Sequence, residues 1–181
     1  RWRPLPSFPI NRNIVNMLNA EYLIAQGRLP EGQFTLVNAD EAKRMLVYRN
    51  NSVLPRAFFV REAAVAANAT DVFARLNAPA FDARRTAVLE KAPSVQTESP
   101  DSSTVQITGY TSRHITASAY TSSAALLVLS EVYYPAGWKA FVDGQETEIL
   151  KTNYVLRSIV VPPGSHTIEF RFDPPLYTAG Y

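Results

Sequence analysis

What most constrains the fold is a series of short apolar runs of period two in the C-terminal half, separated by turn-forming residues. Val105, Ile107 and Gly109 alternate with Gln106 and Thr108, and Ile115, Ala117 and Ala119 alternate with Thr116 and Ser118, as half-buried strands do. Leu126–Tyr134 is apolar on both faces and is therefore the expected central strand, covered on both sides. Asp143-Gly144 separates Trp138–Val142 from Gln145–Leu150 and supplies the positive φ of a two-residue type I′ turn. Pro162-Pro163-Gly164-Ser165 separates Val155–Val161 from His166–Phe172 and reads as a second hairpin. In that last run His166, Ile168, Phe170 and Phe172 share one face, and Thr167, Glu169 and Arg171 the other. Strands with turns about every ten residues predict a mainly β chain whose C-terminal half is an antiparallel β-sandwich.

The N-terminal part reads as smaller and mixed α/β. Asn11 or Asn13 can cap a short helix with Ile14, Met17 and Leu18 as its apolar stripe. Phe34–Val37, Met45–Tyr48, Ala57–Val60 and Thr86–Glu90 read as strands. Glu62–Leu76 is Ala-rich and predicts a partly helical segment with Thr70 as its cap. The polar stretch 93–103 lacks the apolar content to pack and reads as a linker or long loop. The expected division is thus 1–92, 93–103 and 104–181.

Composition excludes several classes. The 18 basic and 16 acidic residues are scattered, whereas nucleic-acid binding needs a concentrated basic footprint. With no cysteine, disulfide scaffolds, thiolate nucleophiles and Cys-based zinc sites are excluded. The longest apolar stretch, Ala124–Leu129, has six residues, far short of a spanning helix, so the chain is expected to be soluble. The start at Arg1-Trp2-Arg3-Pro4 fits an excised or processed region, and the end at Tyr177–Tyr181 carries the expectation of a following apolar helix.

Several stretches, in order, resemble the YfhO-like bacterial membrane proteins. They are Met17-Leu18-Asn19-Ala20-Glu21-Tyr22-Leu23-Ile24, Leu54-Pro55-Arg56-Ala57-Phe58, Phe81–Val88, Leu127–Gly144, Asn153-Tyr154-Val155-Leu156-Arg157 and Val161–Phe170. The resemblance implies a polytopic protein of the C-type glycosyltransferase superfamily, using lipid-linked sugar donors at the outer face of the membrane. This chain would be its soluble extracytoplasmic region near the C-terminus, with the membrane-embedded part of the same polypeptide as its partner and a glycan or lipid-linked sugar as its ligand. The catalytic acid of such enzymes lies in an early loop between membrane helices, outside this chain. No catalytic residue, metal ligand or cofactor is assigned here.

Candidate ligand-binding residues are weighed against their structural roles. Glu131 and Asp143 lie near aromatics, the composition of a sugar-handling site. Asp143 is explained by its turn, however, and Glu131 by a role as strand-end acceptor for a tyrosine hydroxyl or a backbone N–H. Tyr133, Tyr134, Trp138 and Tyr154 can stack on sugar rings, although aromatics in a sandwich are more often core; Trp138, sharing alternation with Ala140 and Val142, is expected to point inward. Arg84 and Arg85 suit lipid phosphates or simply solvent. His114 and His166 lie outside any metal motif and read as strand-end or surface residues. The functional expectation is a non-catalytic domain that binds or positions a glycan acceptor, or acts as a scaffold. The alternatives are a free-standing carbohydrate-binding module or a glycoside hydrolase with a carboxylate pair.

Overall fold

The computed structural model describes residues 3–4 and 10–174; the expectation attached to Tyr177–Tyr181 lies outside the described residues. The chain divides into two compact units, Arg1–Pro55 and Arg56–Tyr181.

The first unit holds α1 (Arg12–Met17) and strands β1 (Tyr22–Ala25), β2 (Phe34–Asp40) and β3 (Met45–Asn50). Asn11 is the helix cap, its side chain accepting from the Ile14 N–H at 3.2 Å. The strands form an antiparallel sheet in the order β1-β3-β2. Leu29, Phe34, Leu46 and Tyr48 form its core, with Val15, Leu23 and Ala25 packed against them. The buried Asn50 amide donates to Asn16 Oδ1 at 2.8 Å and to the Ala20 carbonyl at 3.1 Å, so its burial leaves both N–H groups satisfied.

The second unit is mainly β. It contains β4 (Ala57–Val60), β5 (Glu62–Val65), α2 (Ala69–Leu76), β6 (Thr86–Leu89), β7 (Ser103–Tyr110), β8 (His114–Thr121), β9 (Ala125–Val132) and β10 (Trp138–Val142). They are followed by β11 (Gln145–Thr147), β12 (Leu150–Thr152), β13 (Leu156–Val161) and β14 (Gly164–Phe172). A five-stranded antiparallel sheet runs β11-β10-β14-β8-β7, and a six-stranded sheet runs β4-β9-β13-β12-β6-β5. Their facing side chains form one core: Leu127, Leu129, Ile159 and Val161 from the larger sheet, Ile115, Ala117, Ile168 and Phe170 from the smaller. This is the expected sandwich. The other face of β9 is buried too, with Leu126 and Val128 excluded from solvent, which explains why that strand is apolar on both sides.

Four local differences from the sequence reading have physical causes. The break between compact units falls at Pro55/Arg56, because β4, β5 and β6 pair into the six-stranded sheet; residues 93–103 are the β6–β7 connection within the second unit. Residues 62–65 are a strand rather than helix, held by parallel pairing of β5 with β6, so the larger sheet is mixed. The α2 cap is Asn68, whose side chain accepts from the Asp71 N–H at 3.0 Å, rather than Thr70. Lastly, Pro162-Pro163 does not close a hairpin. β13 pairs with β9 and β12, and β14 with β8 and β10, so this turn carries the chain from one sheet to the other. Two consecutive prolines have no N–H to donate to a ladder, and pairing stops there.

The Asp143-Gly144 hairpin matches expectation, with φ of 51° and 80° between the paired residues Val142 and Gln145. Its second strand ends at Thr147, and Leu150 begins β12 in the opposite sheet.

Candidate functional site

Among the described residues, one charged side chain, Arg157, is buried in the sandwich interior. Arg157 lies on β13 at an inward position of the same parity as Ile159 and Val161, and is 1% exposed. Its guanidinium sits 4.0 Å from the Trp138 ring centroid and 5.3 Å from that of Phe170, a cation–π arrangement strengthened by burial of the charge. Its Nη2 is 3.5 Å from Glu131 Oε2, while Nε and Nη1 are buried without a hydrogen-bond partner among the described residues. Burial pulls the group down to about 10, opposed by the charges of Glu131 and Tyr110; it remains cationic at neutral pH.

Glu131 is placed by an irregularity. Between Leu156 and Arg157 the register of β13 against β9 shifts, so that Val132 pairs with Leu156 and Leu129 with Arg157; Ser130 and Glu131 are thereby bulged. Such a bulge re-aims side chains. Glu131 Oε1 accepts from Arg56 Nη1 at 2.7 Å and from the Tyr110 hydroxyl at 2.8 Å. Arg56 Nη1 also donates to the Tyr110 oxygen at 3.1 Å, and its guanidinium lies 4.7 Å from that ring's centroid. Tyr110 is raised above the usual phenol range, first by burial and then by its bond to Glu131. Because Arg56 and Glu131 belong to the larger sheet and Tyr110 to the smaller, the cluster joins the two sheets at one end of the sandwich.

Aromatics cover that end. Trp138 packs partly buried against the core, its ring centroid 5.4 Å from Phe172, with Tyr134 6.2 Å beyond on the same ring. Gly137 is required there: a Cβ would come within 2.4 Å of the Phe172 ring. Trp138 thus points inward, as its alternation predicts.

The remaining sequence candidates are scattered. Tyr133 donates its N–H to the Val155 carbonyl at 2.7 Å. Tyr154, in the β12–β13 turn with φ of 74°, packs on Phe73 of α2 at 4.1 Å and lies under Lys151 at 4.9 Å. Arg84 and Arg85 are exposed in the turn before β6, where Arg85 pairs with Glu62 at 3.8 Å and its carbonyl accepts from the Arg61 N–H, five residues along the chain from Arg56. Of the sequence candidates, Glu131 and Trp138 contact Arg157, and Tyr134 packs on Phe172 beside Trp138. Arg56, Tyr110 and Arg157 were missed as functional candidates, although an arginine alternating with Ile159 and Val161 is itself the signal of a buried cation.

The histidines occupy the strand ends. His114 Nε2 meets Glu169 Oε1 at 2.5 Å. His166 Nδ1 meets Asp143 Oδ2 at 2.6 Å, and the other Asp143 oxygen accepts the Thr167 N–H at 2.8 Å. Among the described residues, no group of three or more His, Cys, Asp or Glu could hold a metal ion.

Residues 87–181, which include Glu131, Trp138 and Arg157, match the family described as bacterial membrane protein YfhO. The chain belongs to that family. Searches of curated proteins and of solved structures found no match. Within this YfhO-family chain, no helix among the described residues is long and apolar enough to cross a membrane. The match spans β7 to β14 and so takes in the whole five-stranded sheet, but begins after β4 and after Arg56, which immediately precedes that strand.

Proposed function

We propose that this region is a non-catalytic extracytoplasmic domain of a polytopic YfhO-family protein of the C-type glycosyltransferase superfamily, where it positions a glycan acceptor beside the membrane-embedded part of the same polypeptide. The observation that carries the reading is the state of Glu131, the carboxylate a sugar-cleaving site would need. It is held by Arg56, Tyr110 and Arg157. A carboxyl group that works in glycoside hydrolysis must reach the scissile bond, whereas Glu131 Oε1 is taken up by Arg56 and Tyr110 and Oε2 faces Arg157. Glu131 therefore serves as the counter-ion of a buried arginine, which supports a binding or scaffolding role and weakens the hydrolase alternative.

Sugar transfer from a lipid-linked donor, measured with residues 1–181 alone and with membranes containing the full-length protein, tests this. Transfer is expected only in membranes, with loss of transfer when this domain is deleted. Transfer or glycan hydrolysis by the isolated chain would overturn the reading.

A further inference from the structure

The outer face of the five-stranded sheet is divided chemically. One half is charged: Glu169 binds both His114 and Arg171, Arg171 lies 4.8 Å from the Phe141 ring centroid, and Lys139 stands opposite Arg171 on β10. The other half is uncharged. Thr104, Tyr120 and Ser165 are aligned across β7, β8 and β14, and Gln106, Ser118 and Thr167 form the next row on the same face. All six are exposed and line a concavity of about 730 Å³. At its rim, Asp143 and His166 are occupied with each other.

We infer that this neutral half-face, built on Tyr120 and Gln106, is the glycan-binding site of the domain and takes an uncharged sugar chain. The inference rests on the proposed acceptor role and gives it a location away from the Glu131 cluster. The small neighbours Thr104 and Ser165 leave the Tyr120 ring, 41% exposed, open to the apolar face of a pyranose. Hydroxyl groups and one amide surround the ring, each able to donate and accept, as a polyhydroxylated ligand requires. Three strands at about 4.8 Å spacing and two rows about 7 Å apart give a shelf the size of one or two sugar rings. A phosphate or uronate chain finds no unpaired basic group here, because His166 at the rim is bound to Asp143 and the nearby Arg171 and His114 are bound to Glu169. Beneath Tyr120, Ser118, Ser165 and Thr167 the backbone groups of β8 and β14 are already used, because both strands are paired on both sides, so recognition there falls to the side chains; the free edge on this side of the sheet is that of β7.

The test is amide chemical-shift mapping on residues 1–181, titrated with a panel of neutral oligosaccharides (glucose, galactose, rhamnose and N-acetylglucosamine series) and one oligouronate. At least one neutral member should perturb β7, β8 and β14 around Tyr120. Tyr120→Ala and Gln106→Ala should each weaken that binding about tenfold or more while leaving the rest of the spectrum unchanged, and Tyr120→Phe should retain it. Perturbation confined to another surface would overturn the site and leave the acceptor role standing. Binding by no member would overturn both, and preference for the oligouronate would overturn the claim of a neutral ligand.

Discussion

Two glutamates of this chain are equally exposed, at 18% of the side chain, and each contacts two basic side chains, but they stand in opposite electrostatic positions. Glu169 lies on the outer face between His114 and Arg171, which are 47% and 55% exposed. Glu131 lies between Arg56, at 41%, and Arg157, at 1%. The exposure of the carboxylate does not separate the two; the exposure of the partners does. Remove Glu169 and its partners return to water, where an ion pair has little net worth. Remove Glu131 and Arg157 is left charged in an apolar interior, its desolvation uncompensated.

The largest effect is therefore expected from Glu131→Gln, which keeps the shape and an acceptor for Tyr110 while deleting the charge. It should lose about 3–5 kcal/mol of stability, the usual cost of breaking a buried pair from one side, read as a lower urea midpoint. Adding Arg157→Met should restore most of that loss, because the orphaned charge goes with it. A double variant as unstable as Glu131→Gln would show that Arg157 matters through packing rather than charge.

Next comes Trp138→Ala, which removes both a core ring and the face that the Arg157 guanidinium covers. A loss of about 3 kcal/mol is expected, the lower part of the range for truncating a buried aromatic because Trp138 is only partly buried. An unmoved unfolding midpoint would refute the inward assignment and make Trp138 a surface platform.

Much of the fold was legible because its signals are local. Period-two alternation located β7 and β8, and Asp143-Gly144 located its hairpin, each fixed by the pleat or by the φ demand of two residues. What escaped depends on partners distant in sequence. Glu62–Val65 is Ala-rich and reads as helix until β6, which pairs with it from residue 86 onward, holds it as a strand. The Pro162-Pro163 turn has hairpin chemistry, and only the prior pairing of β13 with β9 sends β14 to the other sheet. The candidate site was half legible for the same reason. Glu131 stood out by type, whereas its three partners come from the residue preceding β4, from β7 and from β13, and the order of strands that assembles them is set by packing of the whole unit. Tyr154, Arg84 and Arg85 were grouped with it by residue type and are separated from it by the same strand order.

A smaller effect, carried by pH, is expected at the other end of the sandwich. His166 is raised above its ordinary 6.5, chiefly by its bond to Asp143, and Asp143 is lowered below 3.8, chiefly by His166. A raised histidine stabilises fully below its unfolded value and loses that contribution as pH rises through the folded one; a lowered aspartate contributes above its unfolded value and loses it as pH falls through the folded one. The pair is thus strongest between about 4 and 6.5. The stability gap between parent and His166→Gln should be widest near pH 6 and narrow by pH 8, measured by urea unfolding across that range. Parallel pH profiles would mean that the contact does not couple to protonation.

The smallest effect is expected from Glu169→Gln, and it tests the opening comparison most directly. Glu169 is held below the usual carboxylate range, first by its hydrogen bond to Arg171 and also by that to His114, so an argument from contacts alone would rank it beside Glu131. Both basic side chains it leaves behind are about half exposed, however, and water can solvate them where they stand. The glutamine retains an oxygen for the Arg171 donor, and Thr116 across the pair on β8 is unaffected by the change. The urea midpoint of Glu169→Gln at neutral pH should coincide with the parent's, while that of Glu131→Gln falls. A comparable fall for both variants would show that carboxylate burial, rather than the burial of the stranded cation, sets the cost, and the asymmetry between the two glutamates would be lost.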